Sequence, residues 1–434
     1  MVSVAASGDT AGESMADYRW PRFLGETFNG EGDTGSLQFD FTTNPALVWQ
    51  MSVGDGYGLG CVSDERYYQM DAVPSNGGTS ERLRCLRLSD ASEVWSVTRP
   101  MAYRDLYDYE AGPRGTPTIS GDTLVTYGVD GVLIARSIQD GKELWKVDTN
   151  AVYGVVQNFF GVGSSPLVDS GLVYVSVGGS PLEDRSVAPG RLDRVTFNGT
   201  AVVAFDLATG EERWKSGDDL ASYSSPRLMQ LDGKKLVLMF GRENLLALDA
   251  QDGTVRWKYR HRADIVESVN AMMPVVNEDL IFISECYQVG SVLLRASLDG
   301  VSEVWKDPKN RRKQSMGCHW STPALIDGAL YGCSGRNNSD SSFRCVDFET
   351  GELLWSDDRR IRSSVVRAGD HLIVLEEGGT LQIIQPNRKR LEVVAEYDFR
   401  DLLTRPCWAA PILVGNRLIV RGDRQVVCMK LAIR

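Results

Sequence analysis

The stretch AVVAFDLATGEERW, residues 201–214, decides the fold. It reads as an apolar strand ending at Asp206, a turn through Thr209 and Gly210, and a second strand closing on Trp214. Asp and Thr hold such a turn by bonding to nearby backbone, Gly supplies a positive φ and a bare surface, and an indole ring lies across that surface. Ala204, being small, leaves room for the ring. Two close copies follow, one on Ala247, Asp249, Asp252, Gly253 and Trp257, the other on Cys345, Asp347, Thr350, Gly351 and Trp355. Looser copies end at Trp95, Trp145 and Trp305, and a degenerate one ends at Tyr397.

Counted from Trp49, the steps between these aromatic positions are 46, 50, 69, 43, 48, 50 and 42 residues. A step of that length holds four short strands, the content of one propeller blade. The last stretch, CWAAPILVG, RLIVRG and QVVCMKL, supplies only three strands, while PALVWQMSV around Trp49 is a lone strand with no blade before it. Pairing the two removes both free sheet edges. The expectation is therefore an all-β, eight-bladed propeller of four-stranded antiparallel blades. Its ring is closed by an N-terminal outer strand joined to the three C-terminal strands.

The totals agree with a repeat fold. Hydrophobic residues make up 42% of the chain and charged residues 24%, and 43 glycines suit many tight turns. No apolar run has the length needed to cross a bilayer. With 47 basic against 58 acidic residues the net charge is −11, which argues against nucleic acid as the main partner. The basic run Lys306, Lys309, Arg311, Arg312 and Lys313 reads as a solvated loop. Residues 1–17 read as a flexible tail, either a signal remnant or an expression start, and 18–434 as one propeller, expected to be a monomer, with an arm over 18–44 packed on the ring.

The A-x-D-x-x-T-G-x-x-x-W pattern resembles the repeat of the pyrroloquinoline quinone-like propellers. The opening WPRFLGETFNG, residues 20–30, is similar to the arm that precedes the ring in bacterial members, especially those abundant in planctomycetes. The resemblance implies eight four-stranded blades, in agreement with the independent count of closures, and a periplasmic or secreted location. It attaches no single function to the fold.

Eight cysteines are too sparse for a disulfide scaffold. Cys85, Cys345 and Cys428 take the small first position of the repeat, where a thiol packs in place of Ala. Cys333 and Cys345 flank a hairpin centred near Ser339 and are expected to face each other as a disulfide in an oxidising compartment. No C-x-x-C-H haem site and no C-x-x-C zinc pair occurs, and His261, His319 and His371 are scattered, so no metal site is expected.

In an antiparallel blade the start of the inner strand and the loop between strands two and three share one end. That end collects the segments GDGYGLG, EAGPRGTP, FGVGSSP, ASYSSP, VESVNAMMP, GCHWSTP, RIRSSV and PCWAAP, together with the insertion at 178–199, the stretch YRDLYDYE at 103–110 and the basic run. Insertions gather on binding faces of repeat folds, so this mouth is the expected site. Its polar and aromatic candidates are Tyr57, Arg114, Tyr223, Glu267, Asn270, His319, Trp320, Arg362 and Trp408. Trp320 and Trp408 stand out as large aromatics outside the repeat position.

Three functions compete. The first is a non-catalytic propeller, with no cofactor, that binds a protein or small ligand on the mouth. It resembles outer-membrane assembly lipoproteins of the same fold, although no lipobox Cys stands near Met1. The second is a dehydrogenase using pyrroloquinoline quinone and Ca²⁺. Against it stand the missing vicinal Cys pair, the mostly short loops, and an oxygen set near the mouth limited to Glu267 and Asn270. The third is a carbohydrate-binding propeller using Trp320 and Trp408.

Overall fold

The computed structural model describes residues 2–4 (backbone), 15, 18–32, 34 and 37–434. Eight antiparallel sheets follow one another around a common axis. Blades 1 to 7 span residues 61–101, 118–148, 167–216, 227–260, 275–306, 324–357 and 363–398, and in each the strands pair in sequence order. Blade 8 joins Ile412–Val414, Arg417–Arg421 and Gln425–Lys430 to Ala46–Ser52, with Trp49 opposite Cys428 and Gln50 opposite Val427. The closure expected from the two ends of the sequence is therefore present.

The repeat residues explain why the sheets stack. The ring of Trp305 lies under Gly351 of the next blade so closely that a Cβ there would stand 2.6 Å from it, and Trp145 under Gly210 does the same. Both glycines have φ near +73°, as the turn requires. The indole Nε1 of Trp95, Trp145, Trp257, Trp305 and Trp355 each donates to a backbone carbonyl of the following blade, at 2.8 to 3.2 Å. Trp49 donates likewise to Leu88 O of blade 1 at 2.8 Å, with Ala91 at φ 56° in the glycine position. Between blades the core is continuous aliphatic and aromatic packing, as in the large cluster around Trp49, Ile373 and Val427.

Two N-terminal segments add strands. Val2–Val4 pairs antiparallel with Ala46–Ser52 as a fifth, outermost strand of blade 8. The rest of the expected 1–17 tail, Met15 excepted, lies outside the described residues. Arg19–Trp20 pairs with Cys61–Ser63, the innermost strand of blade 1. From there the arm crosses the lumen. Pro21 O accepts from Ile119 N of blade 2 at 2.8 Å, and Gly30 O and Gly32 N bracket Arg367 of blade 7 at 2.7 and 2.8 Å. Trp20 and Leu24 are buried in this crossing. The arm thus lies across the channel at the end opposite the loops.

The disulfide expectation is corrected. Cys333 pairs with Phe343 and Cys345 with Tyr331, so the two residues are offset along the hairpin rather than opposed. Both are free, buried thiols, as are Cys85 and Cys428. Their burial pushes the thiol pKa upward at Cys345 to about 11 and at Cys428 to about 12, which suits packing and disfavours thiolate chemistry.

Candidate functional site

The inner strands begin at the mouth, and their first residues form a belt of small hydroxyls. Thr116 N donates to Ser165 Oγ at 2.8 Å, Ser165 N to Ser225 Oγ at 2.9 Å, and Met273 N to Thr322 Oγ1 at 2.9 Å. Each bond runs from one blade to the next. The Ser and Thr residues before the strand prolines therefore fasten blades together, and their side-chain oxygens are already engaged.

Above the arm and inside this belt lies one cavity of about 240 Å³. Its floor is Trp20, Phe23 and Leu24 of the arm, and its upper wall is a collar of aromatic rings. Trp320 and Trp408 have ring centres 5.7 Å apart, Trp408 and Tyr57 4.7 Å, Trp408 and Tyr109 6.0 Å, Tyr109 and Phe160 5.5 Å, and Phe160 and Tyr223 5.5 Å. Such tilted contacts are the favoured geometry for ring pairs, so the collar is held by its own members.

Seven of the nine residues picked from the sequence line this cavity: Tyr57, Arg114, Tyr223, His319, Trp320, Arg362 and Trp408. Two do not. Asn270 is fully buried behind the wall, where Nδ2 donates to Gly241 O and His261 O and its backbone bonds Ser222, Tyr223 and Ser224. It bolts blade 4 to blade 5. Glu267 is exposed outside the lining. The two oxygens that hinted at a Ca²⁺ site are thus not brought together. Tyr109, Phe160 and the three floor residues were not singled out in advance. Phe160 heads the segment FGVGSSP, and the apolar spacing of Trp20, Phe23 and Leu24 was the available signal for the floor.

The polar groups divide into engaged and open. Arg114 is engaged through both terminal nitrogens: Nη2 donates to Asp105 at 2.8 Å and to Glu110 O, Nη1 donates to Gly112 O, and the guanidinium lies over Tyr57 and Tyr103. Tyr57 OH accepts from Glu110 N, and burial pushes its pKa up to about 12. Tyr223 OH accepts from Phe160 N at 2.9 Å.

The open groups stand together on blades 6 to 8. Arg362 donates from Nε to Glu377 at 2.6 Å and from Nη1 to Arg336 O, and its guanidinium lies 4.8 Å from the Trp320 ring centre. Its Nη2 has no partner among the described residues. Burial, with the Arg362 and Arg336 guanidiniums close by, pulls the pKa of His319 down to about 3, so the ring is neutral. Its Nε2 meets Tyr287 OH at 3.1 Å, while Nδ1 and Trp408 Nε1 are both buried and unbonded among the described residues.

The 178–199 insertion forms two short turns of 3₁₀ helix, Leu182–Ser186 and Leu192–Arg194, and packs Leu192 on Val156 and Leu220. It buttresses the rim over blades 3 and 4 and does not line the cavity. The basic run forms the exposed 3₁₀ turn Arg311–Lys313.

The family model described as outer membrane protein assembly factor BamB matches residues 43–319. The chain belongs to the BamB family. None of the curated proteins matches the chain significantly. Among solved structures, BamB from Moraxella catarrhalis superposes with a TM-score of 0.59 at 14% identity, over 89% of this chain and 100% of that one. A europium-containing methanol dehydrogenase gives a TM-score of 0.70 at 13% identity, over 95% and 98% of the two chains. Quinohemoprotein alcohol dehydrogenase from Comamonas testosteroni gives 0.61 at 12%, over 95% and 80%. At such identities the superpositions show a shared fold alone. BamB family membership and the propeller therefore leave the activity to be argued from the cavity.

The cavity's donor set does not fit Ca²⁺. Its lining contains no carboxylate and no carboxamide, and the described residues hold no group of three or more His, Cys, Asp or Glu placed for a metal ion. No helix among the described residues is long and apolar enough to cross a membrane.

Proposed function

We propose that this BamB-family chain is a non-catalytic binding propeller whose loop-rich mouth takes a protein or small-ligand partner. One observation carries the reading: the mouth cavity has an aromatic collar and a closed floor but lacks the groups that quinone-dependent alcohol oxidation requires. A base needs a carboxylate or a titratable imidazole at the reacting atom. Here the lining has no carboxylate, and burial, which pulls the pKa of its one imidazole down to about 3, makes that ring a weak proton acceptor. The family description, outer membrane protein assembly, supports a periplasmic setting and a scaffold role.

The test is dye-linked alcohol oxidation by protein loaded with pyrroloquinoline quinone and Ca²⁺, beside calorimetric titration with small neutral aromatic probes such as 2-naphthamide. The reading expects heat of binding at the mouth and no turnover. Turnover above a quinone-only blank would overturn it.

A further inference from the structure

Resting on the binding reading, we infer that the cavity selects a small aromatic carboxylate, with the ring system seated on the arm and the acid group turned toward blades 6 to 8. Three observations carry this class of ligand.

The first is size and lining. A dry cavity of about 150 Å³ accepts benzene, and about 240 Å³ above Phe23 and Leu24 has space for one or two fused rings. Aromatic walls at Phe160, Tyr109 and Tyr223 offer edges and faces to such a body.

The second is the sign of the open polar groups. In a chain of net charge −11, the charged residues that line the cavity among the described residues are two arginines, Arg114 and Arg362. Most of the lining hydroxyls and the terminal nitrogens of Arg114 already have partners, although Ser321 Oγ has none among the described residues. The nitrogens without a partner among the described residues are Arg362 Nη2, Trp408 Nε1 and His319 Nδ1, the last a donor when Nε2 accepts from Tyr287 OH. Arg336, exposed and paired with no carboxylate among the described residues, stands over the Tyr287 ring at 4.6 Å and adds positive charge at the rim. Buried donors left unbonded are costly, and an acceptor oxygen entering this sector relieves them.

The third is what the wall lacks. A sugar presents many hydroxyl protons that must be accepted, and the lining offers no Asp, Glu, Asn or Gln for them, with the Ser321 hydroxyl as an unbonded acceptor. A cationic ligand meets two guanidiniums and no counter-charge. A carboxylate on a flat apolar body meets neither obstacle. Glu377 and Asp105 lie behind the guanidiniums and moderate the attraction without removing the donors.

The experiment is calorimetric titration of the full chain with 2-naphthoate, its uncharged isostere 2-naphthamide, cellobiose, and pyrroloquinoline quinone with and without Ca²⁺. The expected result is that 2-naphthoate binds about tenfold more tightly than the amide, the size of one charge-assisted hydrogen bond, and that cellobiose gives no heat. In Arg362→Gln/Glu377→Gln, which leaves no unpaired charge, and separately in Trp408→Phe, the acid's advantage over the amide falls to about twofold. Equal binding of acid and amide overturns the carboxylate class but leaves the binding reading standing. Absence of binding by either ring compound overturns both. Quinone binding that depends on Ca²⁺, with no 2-naphthoate binding, overturns both in favour of cofactor chemistry.

Discussion

The hydroxyl of Tyr397 donates to the carbonyl oxygen of Phe41 at 2.8 Å. Tyr397 stands where the other blades carry Trp, and Phe41 belongs to the segment leading into Ala46–Ser52. The seventh blade is therefore fastened to the start of the chain by the same kind of bond that joins the other blades to their successors. Tyr397→Phe removes that bond and little else, and should cost about 1 kcal/mol in urea unfolding. A loss near zero would mean that the ring contact alone holds this junction.

The indoles themselves differ in a way that predicts unequal costs. Trp305 Nε1 donates to Phe348 O at 2.9 Å, whereas Trp214 Nε1 is buried without a partner among the described residues although its ring lies under Gly253. Trp305→Phe should destabilise by about 1 kcal/mol more than Trp214→Phe, since only the first substitution breaks a bond. Urea midpoints of the two variants, measured side by side, check the ordering.

Gly351 faces two demands at once, a φ of 73° and contact with the Trp305 ring. Gly351→Ala adds the strain of a left-handed side chain to a clash at 2.6 Å, for a loss of about 2–4 kcal/mol. Ala91 shows that the backbone strain alone is tolerable, because it holds a φ of 56° opposite Trp49. A Gly351→Ala variant of native stability would mean that the ring shifts freely, against the close stacking described here.

Acid should weaken the fold through His261. This imidazole is fully buried, with Nε2 on Gly290 O at 3.1 Å, and burial pulls its pKa down to about 4 from 6.5. A lowered imidazole pKa means that the unfolded chain takes up the proton first. Stability is then present above pH 6.5 and lost as the pH falls toward 4, by about 3 kcal/mol. The corresponding slope in urea midpoints against pH should flatten over that window in His261→Gln, and an unchanged slope would assign the effect to other groups.

Trp20 tests the plug. It pairs opposite Val62 and is 2% exposed, so Trp20→Ala should destabilise by about 3–5 kcal/mol and open the cavity from below. Thermal unfolding reads the first effect. Weaker calorimetric binding of 2-naphthamide reads the second.

What could be read in advance follows from what repeats. The Trp, Gly and small-residue positions recur at fixed spacing, so eight blades and the junction of Trp49 with Cys428 were legible in one sequence. The mouth was legible as a set of segments, because strand order alone puts them at one end. Side-chain direction within those segments was not. Asn270 and Trp320 occupy comparable loops, yet one points into the wall to bond Gly241 O and the other lines the cavity. No periodicity governs a loop, so nothing in the spacing separates the two. The same limit hid the offset of Cys333 from Cys345, which depends on a register of two residues, and the inward path of the arm, which has no repeat to align with.

The junction in blade 8 also imposes an order on synthesis. Ala46–Ser52 emerges from the ribosome before the strands of blades 1 to 7, and its ladder partner Gln425–Lys430 emerges after them. Throughout translation a nascent ring of up to seven blades carries one unsatisfied ladder at its leading strand. That unsealed intermediate, rather than the finished protein, is the species prone to pair with a neighbouring chain, and its lifetime is set by how fast the final three strands arrive.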